Sequence, residues 1–139
     1  MKRRELREHL FKMVFIFSFN LEREMDEQID LYLDGIDGIR EEEKEYLKNR
    51  YYAVHEHIAE IDELLDRTAK GWSTDRFASA DLAILRVACY EMLFDENIPE
   101  GVAINEAVEI AKIYGGDDSP SFINGILGNI SAAAKSSEA

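Results

Sequence analysis

The chain has 139 residues, 46% of them hydrophobic and 32% charged, which fits one folded domain with its own core and excludes a disordered or low-complexity protein. Its net charge of −13 opposes any broad surface for polyanions, and its single cysteine rules out an internal disulfide or a multi-cysteine zinc site. The charge is uneven: residues 1–20 hold five Lys/Arg against two Glu, residues 21–66 five against sixteen acids, and residues 67–139 six against eleven. A small basic end sits on an acidic body, so nucleic-acid binding has to be local and helped by a partner.

The first predicted helix spans residues 3–19. Leu6, Leu10, Met13, Val14 and Phe17 recur at helical spacing, and Phe11, Phe15 and Phe19 form a second stripe. A helix apolar over that much surface is either central to the core or covered by a partner. Its basic start and apolar run superficially resemble a secretion signal. Glu5, Glu8 and Lys12 interrupt that pattern, no small-residue cleavage site follows, and the run falls short of the roughly 20 residues that cross a bilayer. The expectation is a cytoplasmic protein without a membrane partner.

Residues 25–33 predict a second helix, stopped by Gly35 and Gly38. A third is expected over residues 40–69, where Leu47, Tyr51, Val54, Ile58, Ile61 and Leu65 alternate steps of four and three. Glu41, Glu42 and Glu43 fall in its first turn, where the helix dipole favours negative charge. Gly71-Trp72-Ser73 mark a boundary; Ser73 or Thr74 is placed to cap a short helix around residues 75–78, and Ser79 to cap the next, residues 80–94. That helix turns Ala80, Ile84, Val87 or Ala88, and Met92 inward, and Cys89 within it reads as a buried, inert thiol.

After Asn97, Pro99 and Gly101, a helix over residues 102–114 buries Ile104, Ala107, Val108 and Ala111 and faces Glu106, Glu109 and Lys112 outward. Gly115 is placed for a left-handed helix end, Ser119 for the N-cap of the last helix with Pro120 at its first position, and the tail from residue 132 frays. No strand-like alternation or internal repeat occurs. The expected fold is all-α: about seven helices in a single domain, residues 1–139, divided into two three-helix-bundle-like halves at about 1–70 and 71–135.

Catalytic chemistry finds little support. His55 and His57 are two apart and point to different helix faces, unlike the i, i+4 pair of a zinc helix, and His9 is remote in sequence. Neither Cys89 nor a serine lies beside a base in a local pattern, and Gly115-Gly116 lacks the Lys-Ser/Thr of a phosphate loop. No catalytic residue, metal or cofactor is indicated. Lys2, Arg3, Arg4 and Arg7 are the best nucleic-acid feature, because the helix dipole disfavours cations at that end. They suit the phosphates of single-stranded RNA, while the ring of Phe122 can stack on a base or join the core.

Residues 102–128, VAINEAVEIAKIYGGDDSPSFINGILG, hold Asn105-Glu106, Gly115, Asp118-Ser119 and Phe122-x-Asn124-Gly125 in an order that packing alone does not require. Upstream stand Arg3-Arg4, Arg7-Glu8, Trp72, Asp81, the run Ala83-Ile84-Leu85-Arg86-Val87-Ala88-Cys89-Tyr90-Glu91, and Pro99. With these blocks the chain resembles the NusB family of bacterial transcription antitermination factors, weakly over residues 21–70 and strongly from Trp72 onward. The resemblance implies two helical subdomains and no catalytic activity. It also implies an adaptor that binds single-stranded boxA RNA of ribosomal RNA leaders jointly with the ribosomal protein NusE, within the RNA polymerase antitermination complex.

By motif, the implied RNA surface is Lys2, Arg3, Arg4 and Arg7, with Asp118, Phe122 and Asn124 nearby. The implied NusE surface is Phe15, Asp81, Arg86 and Glu91. Phe15 stands where the family usually has tyrosine, and Gly128-Asn129 where it tends to have Asp-Lys. Two other readings remain. One is a fragment of a ribosomal RNA cytosine methyltransferase, although the chain lacks the glycine-rich βα unit and catalytic cysteine motif of the whole enzyme. The other is a purely protein-binding helical adaptor, favoured by the acidic body and the apolar first helix.

Overall fold

The apolar spacings do become helices. The computed structural model describes residues 1–20, 22–69 and 77–138, and among these there is no strand. Among the described residues seven α-helices follow in order: α1 Arg3–Phe17, α2 Met25–Asp34, α3 Glu41–Glu56, α4 Ile58–Thr68, α5 Ser79–Phe94, α6 Glu100–Tyr114 and α7 Ser119–Glu138, with a 3-10 turn Glu22–Glu24 before α2. None is long and apolar enough to cross a membrane among the described residues. Trp72 and the proposed caps Ser73 and Thr74 lie outside the described residues, as do residues 75 and 76 of the short helix expected around 75–78; Phe77 and Ala78, which are described, are not helical.

The core is organised around α5. Every residue from Ala83 to Glu91 is buried there, as is Asp81, so the helix is enclosed on nearly all sides rather than along the single stripe expected. α1, α6, α7 and α4 all pack against it. α1 also lies on α3, and its Leu10, Phe11, Met13 and Val14 are buried. It ends at Phe17, two residues early, because the Ser18 N–H bonds the Phe15 carbonyl and the Asn20 side-chain amide donates to the Ile16 carbonyl at 2.8 Å.

The single helix expected over residues 40–69 is two. His57, at φ −102° and ψ 4°, separates α3 from α4. No glycine or proline marks the break. The His57 Nδ1 meets Glu60 in the first turn of α4, and its ring stacks on Phe94 at 3.8 Å between centroids, a contact available only once α5 is in place. The stripe survives: Leu47, Tyr51, Val54, Ile61 and Leu65 are buried, whereas Ile58, next to the break, is half-buried. α3 can therefore serve α1 while α4 serves α5 and α7.

Three expected helix ends also differ. Ala78, not Ser79, precedes α5 and its carbonyl accepts the first helical bond from Leu82. Asp118, not Ser119, does the same for α7 through the Phe122 N–H; the Ser119 hydroxyl turns back and accepts from the Gly116 N–H at 2.9 Å. Gly115 is extended (φ −92°, ψ −177°), not left-handed. Its need is space: a Cβ there would lie 2.6 Å from the Ser119 Cβ and 2.8 Å from the Ala111 carbonyl oxygen. In α6 the buried set is Ala103, Ala107, Ile110 and Ala111, one step round from the prediction, with Ile104 and Val108 half-buried.

Candidate nucleic-acid interface

The first two turns of α1 carry Lys2, Arg3, Arg4 and Arg7, and the fold gives these four cations different work. Lys2 and Arg3 are exposed, and among the described residues neither forms an ion pair. Arg4 reaches across to α6, where its Nε and Nη2 each donate to a Glu106 carboxylate oxygen at 2.9 Å. Glu106, expected to face solvent, is thereby half-buried, and the Arg4 hydrogen bond holds its carboxyl below the ordinary value. Arg4 itself stays 57% exposed and keeps N–H donors on Nη1 for a further anion.

Arg7 points inward. Its Nε lies 3.0 Å from both oxygens of Glu91 on α5, and its Nη2 is 2.9 Å from one of them. The two side chains are 11% and 5% exposed. Burial pushes the Glu91 carboxyl above its ordinary value, against the pull of the Arg7 hydrogen bond and charge. Arg7 is therefore used within the fold, joining α1 to α5. A second pair, Arg50 of α3 with Asp95 after α5, lies beside it, and the Arg50 guanidinium also sits over the Tyr90 ring. Burial raises the Asp95 carboxyl, but the Asn97 N–H and Arg50 outweigh it and hold the group low.

These side chains line one groove of about 680 Å³. Arg3, Arg4 and Glu106 form its rim, the two ion pairs its floor, and Leu6, Tyr46 and Val102 part of its wall. Asn97, Ile98 and Pro99 of the α5–α6 connection also line it. In the sequence Asn97 reads only as a loop former and Pro99 as a loop former and one of the family-like positions, while Tyr46 and Arg50 carry no local signal. Only an account of which helix faces which could have found them.

Asp118, Phe122 and Asn124 are not in this groove. Asp118 and Asn124 are exposed at the start of α7, while Phe122 is half-buried with its ring edge-on to Phe77 at 5.4 Å. No hydrogen bond or ion pair among the described residues joins them to the basic end. Among the described residues, then, the groove and the start of α7 share no lining residue and no polar contact. They are linked along α1, where Glu8 accepts from the Tyr114 hydroxyl at 3.3 Å and Phe11 packs on the same ring, close to the end of α6.

The residues expected to meet a protein partner divide similarly. Phe15 is half-buried and lies between Phe11 and Phe19, whose ring is 65% exposed. Arg86 is buried and makes a two-bond contact with Asp62 of α4 at 2.7 and 3.0 Å. Glu91 is held by Arg7. Asp81 is buried in the first turn of α5, where the helix dipole favours it, and its Oδ1 accepts no hydrogen bond among the described residues. Cys89 is fully buried and burial pushes its thiol up to about 12, which suppresses the reactive thiolate. No group of three or more His, Cys, Asp and Glu is placed to hold a metal among the described residues.

A family model described as "NusB family" matches residues 4–132. The "Transcription antitermination protein NusB" of Lachnoclostridium phytofermentans is 46% identical over 130 residues, covering 94% of this chain and 98% of that protein. The protein of the same name from Agathobacter rectalis is 46% identical over 127 residues, covering 91% and 97%. A solved structure of T. maritima NusB superposes with a TM-score of 0.81 at 35% identity, covering 94% of this chain and 90% of that one.

Proposed function

Because this chain belongs to the NusB family, we propose that it acts as a transcription antitermination factor. In this reading it binds the boxA element of ribosomal RNA leader transcripts jointly with a NusE-type ribosomal protein and lowers termination by RNA polymerase. It works by presenting surfaces, without catalysis. The observation that carries the reading at the level of residues is the cluster Lys2, Arg3 and Arg4, a local cationic edge on a chain of net charge −13. Such an edge neutralises phosphates where the rest of the molecule repels them, which favours a short single-stranded contact over a long duplex.

Within this reading Lys2, Arg3 and Arg4 meet phosphates. Arg7 sets their position by fixing α1 on Glu91. Asp118 and Asn124 offer an acceptor and an amide at the second patch, with Phe122 supporting them from behind. The protein partner covers Phe15 and the exposed Phe19 ring, while Arg86 and Glu91 hold α5 in place beneath. The test is the salt dependence of binding to boxA RNA. Each lost phosphate contact lowers the single-strand slope by about 0.7, so Arg3→Ala/Arg4→Ala lowers it by about 1.4. An unchanged slope and affinity would remove the N-terminal assignment.

A further inference from the structure

The groove beside the basic edge has more recognition chemistry than phosphate binding uses. Its floor is already neutral, since Arg7 is matched by Glu91 and Arg50 by Asp95. Above that floor the Arg3 guanidinium and the Asn97 side-chain amide have no hydrogen-bond or ion-pair partner among the described residues, and the Tyr46 ring stands beside them, partly exposed. Tyr46 is 46% exposed, and the Arg50 guanidinium lies 5.8 Å from its centroid. The ring is thus held by a cation while part of its surface faces the groove. Asn97 uses its backbone N–H on Asp95 at 2.9 Å, which fixes the loop and leaves its amide free to donate and accept.

A flat ring, a free amide and a cation around apolar walls are the complement of one unstacked nucleotide: base face, base edge and phosphate. At about 680 Å³ the groove lies in the range of small-molecule sites. That volume is enough for one nucleotide. We propose that this groove is a subsite for one flipped-out nucleotide of single-stranded RNA, with Tyr46 stacking on the base, Asn97 reading its edge and Arg3 holding its phosphate. The proposal rests on the RNA-binding reading above and adds to it a site of base recognition separate from the patch at Asp118 and Asn124.

The experiment measures binding of the full chain, with NusE present, to a boxA-type single-stranded RNA and to a series of probes in which each base in turn is removed to leave an abasic site. One position should weaken wild-type binding by about tenfold when its base is lost, the scale of one base–aromatic stack. Tyr46→Ala should bind the intact RNA about tenfold more weakly and lose nothing further with that one probe, while Tyr46→Phe keeps wild-type behaviour. Asn97→Ala should relax base preference at the same position. Neither variant should change the salt slope, because neither removes a charge. If Tyr46→Ala and Asn97→Ala bind every probe as wild type does while Arg3→Ala loses affinity, the subsite is wrong and the RNA reading stands. If Tyr46→Ala weakens all abasic probes equally, the ring touches no particular base and the subsite is also wrong. If the wild-type chain binds none of the RNAs, both readings fall.

Discussion

Replacing Arg7 by alanine separates a cation that builds the fold from one that serves RNA. Glu91 is 4% exposed and its carboxylate is bound by Arg7 through two nitrogens at 2.9 to 3.0 Å. Removing one partner of a buried pair strands the other charge and costs about 3–5 kcal/mol. Arg4→Ala removes a pair whose arginine is 57% exposed and screened by solvent, which contributes far less. In a domain of this size Arg7→Ala should lower the melting temperature by roughly 10–20 °C, and Arg4→Ala by a few degrees. The pH dependence follows from Glu91. Burial raises its folded pKa, so the protonated form is favoured on folding. That contribution is present at low pH and lost as pH rises through the folded value. Without Arg7 the pKa rises further, and the deficit of Arg7→Ala should therefore be small in acid and grow toward neutral pH. Arg7→Met/Glu91→Leu, which removes both charges at similar volume, should recover most of the loss. Urea unfolding at several pH values measures all of this. If Arg7→Ala is as stable as Arg4→Ala at neutral pH while its RNA salt slope falls by about 0.7, Arg7 is a phosphate contact and the structural role given to it is wrong.

Three further substitutions test other parts of the account. Gly115→Ala forces a Cβ to within 2.8 Å of the Ala111 carbonyl and 2.6 Å of Ser119, and should cost about 1–3 kcal/mol in thermal or urea unfolding despite an allowed φ. Gly128 lies inside α7 with nothing within 4 Å of a built Cβ, so Gly128→Ala should stabilise by about 0.5–1 kcal/mol in the same assay. The Met1 amine, and then the Arg40 N–H, hold the Glu43 carboxyl down to about 2 from 4.5. A depressed carboxyl stabilises the fold above its unfolded pKa and loses that effect as pH falls. Glu43→Gln should accordingly lower the melting temperature near neutral pH and flatten its decline between pH 4.5 and 2.

Helix positions were legible because apolar spacing and glycine stops act locally. Leu47, Tyr51, Val54, Ile61 and Leu65 were readable as one inward stripe, and they are buried. The break at His57 was not readable, since it depends on Phe94 of a later helix and carries no local breaker. Gly115 was recognisable as required but for the wrong reason: periodicity reveals a helix end, whereas the approach of Ser119 exists only after α7 turns back. The same limit governs the site. Composition identifies Lys2, Arg3, Arg4 and Arg7 as one basic cluster. The fold divides it, because Glu91 and Glu106 stand on helices distant in sequence and take Arg7 and Arg4 to different degrees of burial. Tyr46 and Asn97 have no local signature and join the cluster only through packing.

The most direct measurement is a titration of boxA single-stranded RNA with the full chain, alone and with NusE, read by gel shift at two or more salt concentrations. The account predicts binding that tightens when NusE is added and weakens with salt, with a shallower slope in the Arg3→Ala/Arg4→Ala variant. Absence of RNA binding even with NusE present would contradict it and leave a helical adaptor that meets proteins alone.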